Sequence, residues 1–155
     1  MNDELYHSIA TKSGVALRPA SEDGIRQLQA LRFPEDAIAY YREAEPSRIT
    51  EIEKIRLWPI KDVVEENTDY VPGCYIQPHG YVVFATTFCG DTYCFDLNAA
   101  TSAMSAPIVL LSHEMIDDET TRETVGNLAK MIAPDFRSFL ESFAAGSLDI
   151  TPNYG

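Results

Sequence analysis

No lysine or arginine occurs between Lys61 and Arg122, although that interval holds ten acidic residues: Asp62, Glu65, Glu66, Asp69, Asp91, Asp96, Glu114, Asp117, Asp118 and Glu119. Over all 155 residues, 12 Lys and Arg stand against 24 Asp and Glu, a net charge of −12. A deficit of cations argues against nucleic acid as a partner, because phosphate binding needs Lys and Arg to displace counterions. It argues equally against an anionic membrane surface. Cysteine is scarce, with only Cys74, Cys89 and Cys94. An odd count without a Cys-x-x-Cys pair suits a reducing compartment, where the thiol is a small buried hydrophobe. Long apolar runs are missing too: the first twenty residues include Asp3, Glu4 and His7 and no stretch fit for a signal peptide or a membrane span. The expectation is a cytoplasmic protein. The single tryptophan, Trp58, sits beside Pro59 and is expected in the core.

What is present reads as one globular domain. The apolar fraction is 45% and the aromatic fraction 10%, enough to bury a core in a chain of this size. Residues 1–20 show no clear period and read as an N-terminal arm, residues 21–148 as the domain, and residues 149–155 as a tail. Ser21 is a helix cap ahead of Ile25, Leu28 and Leu31, with Glu22 and Asp23 at the positive end. Pro34 opens a second helix whose apolar face is Ala37, Ile38, Tyr41 and Ala44. Residues 51–58 alternate as a strand, with Ile55 and Leu57 against Lys54 and Arg56. A short helical turn follows Pro59, and residues 69–80, rich in Pro and Gly, read as an ordered loop.

Residues 81–88 are almost continuously apolar and predict a strand buried on both faces. Cys89-Gly90-Asp91 ties it to a strand at 92–97, with Gly90 supplying the positive φ of a tight connection. A small-residue loop spans 98–106, and a further strand runs from 107 to 112. Phe136, Phe139, Leu140 and Phe143 recur at helical spacing between Pro134 and Gly146, which marks a closing helix. Period 2 in the middle and period 3.6 at both ends predict an α+β fold: a mainly antiparallel sheet of four to six strands, with helices at the two ends packed on it.

Chemistry is thinly signalled. Cys89, Asp91 and His113 are the residue types of a Cys-His-Asp hydrolase, but no Lys, Arg or helix start nearby would stabilise a thiolate. Cys74, His79, Cys89 and His113 match no ligand spacing for a metal. The expectation is therefore a chain with no catalytic residues, no metal and no cofactor. Asp91 can hydrogen-bond the N–H groups of its own turn, or project toward a partner.

Five segments, in order, resemble the SUKH superfamily, which includes the fungal cell-wall synthesis regulators of the SMI/KNR type. Leu31-Arg-Phe-Pro-Glu-Asp-Ala-Ile-Ala-Tyr-Tyr41 looks like its opening "LPxDYxxFL" helix, and Leu57-Trp58-Pro59 with the acidic turn looks like its early strand. Residues 83–96 resemble its central hairpin, where a Gly-Asp pair leads into a strand ending in Asp. Residues 106–113 resemble the next strand, and Ala133-Pro-Asp-Phe-Arg-Ser-Phe-Leu140 the closing "A-x-S-F-x-x-F-L" helix. The chain departs from the pattern at Ala44-Glu-Pro-Ser47, where an Asn-Gly pair is usual, and at the reduced turn Phe88-Cys89.

The resemblance implies an α+β binding domain, and many bacterial members are immunity proteins that neutralise toxins, often nucleases. Others are scaffolds or regulators. Combined with the charge pattern, the expected partner is a basic toxin domain held by Glu65, Glu66, Asp69, Asp91, Asp117, Asp118 and Glu119, through the field those acids create. The alternative is a regulatory module that binds a host protein. Strand order decides whether these acids share one face.

Overall fold

The structure, a computed structural model, describes residues 3–154. Helix α1 (Glu4–Ser13) opens it: the Asp3 carboxylate accepts the Leu5 N–H at 2.8 Å, and Gly14 at φ 70 closes the last turn. A two-stranded ribbon pairs β1 (Leu17–Arg18) with β2 (Glu45–Pro46), bracketing α2 (Glu22–Ala30) and α3 (Glu35–Ala44). Ser21 caps α2 through the Gly24 N–H, as its side chain predicts, and Pro34 is the cap residue of α3.

Then come β3 (Thr50–Ile52), β4 (Ile55–Leu57), α4 (Ile60–Thr68), the single turn α5 (Gly73–Ile76), β5 (Tyr81–Thr87), β6 (Thr92–Asp96), β7 (Ile108–Leu111), α6 (Arg122–Leu128), β8 (Lys130–Ala133) and α7 (Phe136–Ala145). Strands β3 to β8 form one antiparallel sheet in chain order. The α+β class, with helices at both ends of the chain and an antiparallel sheet between them, is the one read from the sequence.

Rings fill the space between the sheet and α7. Phe84 of β5 stacks on Phe95 of β6 at 4.4 Å and meets Phe136 and Phe139 edge-on at 5.4 and 4.8 Å. Phe33, Tyr40 and Tyr93 extend the same cluster. Every position of β5 is buried, so its other face is covered as well. Helices α4 and α5 also pack against this strand.

One side chain does the work of a strand on that side. Strand β4 pairs with β5 only as far as Leu57 opposite Ala85, and Pro59 beyond it has no N–H to offer. Asn67 of α4 takes over: its carboxamide oxygen accepts the Val83 N–H at 2.9 Å and its NH2 donates to the Val83 carbonyl at 2.8 Å. A carboxamide presents the donor and acceptor of a peptide bond, so both buried backbone groups stay satisfied.

The structure adds to or departs from the sequence reading at four segments. The strand expected at 51–58 is a hairpin, β3 and β4, because Glu53 takes φ 54 and folds Ile52 back opposite Ile55; without a glycine at that position, the sequence carries no sign of it. The expected arm is a docked helix: Ile9 is fully buried, Lys12 Nζ donates to the Ala144 carbonyl at 2.5 Å, and Arg137 pairs with Asp3 at 2.6 Å. The tail is also tied down, since Tyr93 donates its hydroxyl to the Asp149 carbonyl at 2.7 Å and Lys130 pairs with the Asp149 carboxylate. Finally, α6 and β8 occupy a stretch that had no assignment.

Candidate interaction face

Helix α4 buries Ile60, Val63 and Asn67, which recur every three or four residues, and so turns its remaining positions outward. Glu65 and Glu66 lie half-buried on it, and Asp69 is the exposed residue that ends it. All three acids stand at the negative end of the helix dipole, with no basic residue in the last turn. Asp62 adds a like charge one turn from Glu66. Burial, and then the charges of Asp62 and Glu65, push the Glu66 carboxyl from its ordinary 4.5 up to about 7.

The acids at 117–119 form a separate turn. Asp117 accepts the Glu119 N–H at 2.9 Å and the Thr120 hydroxyl at 3.3 Å, which fixes its loop and leaves Asp118 and Glu119 exposed. His79 joins the two groups: its Nε2 lies 3.0 Å from the Thr120 carbonyl, while α5, just before it, packs on α4. The two acidic groups thus flank the 73–79 segment. Among the described residues, none of Asp62, Glu65, Glu66, Asp69, Asp117, Asp118 and Glu119 takes part in an ion pair.

Asp91 does not join them. It is buried in the β5–β6 turn, accepting the His113 N–H at 3.1 Å and His113 Nδ1 at 2.8 Å on one oxygen. The Cys89 thiol donates to the other oxygen at 3.4 Å. Gly90, at φ 97, lies against the His113 ring. The turn reading of Asp91 is therefore the one the geometry satisfies, and a surface role for this carboxylate is corrected by its burial.

Cys89, Asp91 and His113 do meet, in an order opposite to that of a thiol nucleophile. A reactive cysteine needs a cation or a base on its sulfur; here the sulfur touches a carboxylate and the imidazole is turned onto that same carboxylate. Cys74 and His79 lie elsewhere, on α5 and after it. Among the described residues no group of three His, Cys, Asp or Glu is placed to hold a metal ion, and no helix is long and apolar enough to cross a membrane. Trp58 is buried, as expected. Sequence reasoning missed Asn67, whose role depends on where a strand ends, and the α1 residues, although Asp3 and Gly14 carried the cap chemistry of a helix.

No curated protein matches the chain. The sequence profile described as the SMI1 / KNR4 family (SUKH-1) matches residues 19–142, from the approach to α2 into α7. The chain belongs to that family.

Proposed function

We propose that this chain is a non-catalytic protein-binding module, an immunity protein that neutralises a toxin, basic by the charge pattern and of nuclease type by the family resemblance, at the acidic end of α4 and the 117–119 turn. Membership of the SUKH-1 family supports this reading, since the resemblance implies immunity proteins among its members beside scaffolds and regulators. One observation carries the choice of face. The last turn of α4 concentrates carboxylates with no basic residue in that turn, and burial, then the charges of Asp62 and Glu65, raise the Glu66 carboxyl to about 7. A lysine or arginine brought by a partner relieves that repulsion, whereas an acidic partner adds to it. Affinity comes from a few desolvated contacts, and the outer charges set the encounter rate.

The test uses the product of the neighbouring gene as candidate toxin. Changing Glu65, Glu66 and Asp69 together to Lys should slow association by roughly tenfold or more at low salt, and by less at high salt as screening grows. An unchanged rate at low salt would reduce this face to a solvated surface. Recovery of a host regulator in place of a toxin would move the chain to the scaffold class.

A further inference from the structure

A cleft of about 460 Å³ opens between α1 and α3, away from the acids of α4. Tyr6 and Ala10 from α1, Leu17 from β1 and Ala44 from α3 form its apolar wall, and the exposed His7 of α1 lies beside them. Its rim is acidic, carrying Asp3, Glu4 and Glu43. Asp3 is already engaged, with Arg137 at 2.6 and 3.5 Å and the Leu5 N–H at 2.8 Å. Glu4 and Glu43 are exposed and take part in no ion pair among the described residues.

Tyr6 connects the wall to the rim. Its ring is held edge-on against Tyr40 at 5.1 Å, and Tyr40 is buried with a hydroxyl that has no hydrogen-bond partner among the described residues. Burial first, then the charges of Asp3 and Glu43, raise the Tyr6 phenol above its ordinary value, while the Arg137 charge pulls it down.

We propose that this cleft binds a primary alkylammonium group, the alkyl stem lying on Tyr6, Leu17 and Ala44 and the charged head between the Tyr6 ring and the carboxylates of Glu4 and Glu43. The class follows by elimination. An anion meets three carboxylates, and a neutral apolar molecule leaves the acidic rim unused. Among the described residues no three of the cleft's acids and His7 are placed together to hold a metal ion. An ammonium on a short stem uses both the apolar wall and the charge, with the ring face adding a cation–π contribution. The family match starts at residue 19, so the α1 side of the cleft lies outside it. The site shares no residue with the α4 face, so the two proposals stand or fall separately.

The experiment is an NMR titration of the full chain with butylammonium chloride. Saturable shifts at Tyr6, Leu17 and Ala44 are expected, with a Kd of about 1–10 mM as befits a ligand this small. In a Glu4→Gln, Glu43→Gln double variant, both changes isosteric and exposed, the affinity should fall at least about fivefold; uncharged 1-butanol should bind the native chain at least about fivefold more weakly. A lysine amide with a blocked amino terminus that binds like butylammonium assigns the cleft to a lysine of a protein partner. Binding by the diamine cadaverine without the lysine amide assigns it to a free amine. No shift at those residues by about 50 mM butylammonium overturns the proposal, as do shifts that survive in the double variant or are matched by butanol.

Discussion

Toward α7 the sheet meets a wall of rings; toward α4 it meets a helix whose buried side carries one indispensable carboxamide and whose outer side carries acids. On the first side stability comes from apolar area and ring packing, which need shape but little direction. On the second side, two Asn67 hydrogen bonds and a set of mutually repelling carboxylates meet within three turns of helix. The difference separates two tasks. The α7 side holds the fold together, and the α4 side is the one the proposed function gives to a partner.

That contrast breaks hardest under Phe139→Ala. Phe139 is fully buried and touches Phe84, Tyr93 and Phe143, and its truncation should cost about 3–5 kcal/mol in denaturant unfolding. A loss under about 1 kcal/mol would mean the rings relax around the gap and the α7 side is not the stable one. Asn67→Ala comes next, at about 2–4 kcal/mol, because it leaves the Val83 N–H and C=O buried without partners. A smaller loss in thermal or chemical unfolding would show that the backbone rearranges to recover them.

Glu66→Gln sharpens the comparison with an opposite sign. Below pH 4.5 the native carboxyl is protonated in folded and unfolded chains alike, and its burial has no consequence. As pH rises toward about 7 the unfolded chain loses the proton first, so folding stability falls; above that both states are ionised and the full cost remains. Glutamine escapes this cost. The variant should match the native chain near pH 4 and exceed it at pH 8, by less than about 1 kcal/mol because Glu66 is half in water. A native stability that stays flat from pH 4.5 to 8 would place Glu66 outside the repulsive cluster. The smallest effect is expected for Cys89→Ser, where the hydroxyl can donate to Asp91 in place of the thiol. Stability should shift by under about 0.5 kcal/mol and partner binding should persist; lost binding would give the thiol a role of its own.

How far these regions could be read from sequence follows the same division. The α7 stripe is a local pattern, since Phe136, Phe139, Leu140 and Phe143 fall at helical spacing whatever surrounds them. The unbroken apolar text of β5 likewise announced burial on both faces. Asn67, in contrast, reads as one more polar residue on an acidic helix. Its meaning depends on β4 ending at Leu57 and on Pro59 lacking an N–H, facts of tertiary arrangement. The cation-poor stretch could be seen at once, but the placement of residues 117–119 across from α4 could not, because it runs through the contact between His79 and Thr120. Helix α1 had its caps in the sequence, Asp3 and Gly14, yet too few apolar positions to show that it docks.

That docking bears on how the chain is made. Helix α1 leaves the ribosome more than a hundred residues before α7, which supplies Arg137 and the Ala144 carbonyl to it. Closing a loop of that length costs entropy that only the finished contact repays. Until α7 emerges, α1 lacks the partners of Lys12 and Asp3 and has its packing on β3 to hold it. The alkylammonium cleft is then complete only in a chain that has been synthesised through α7.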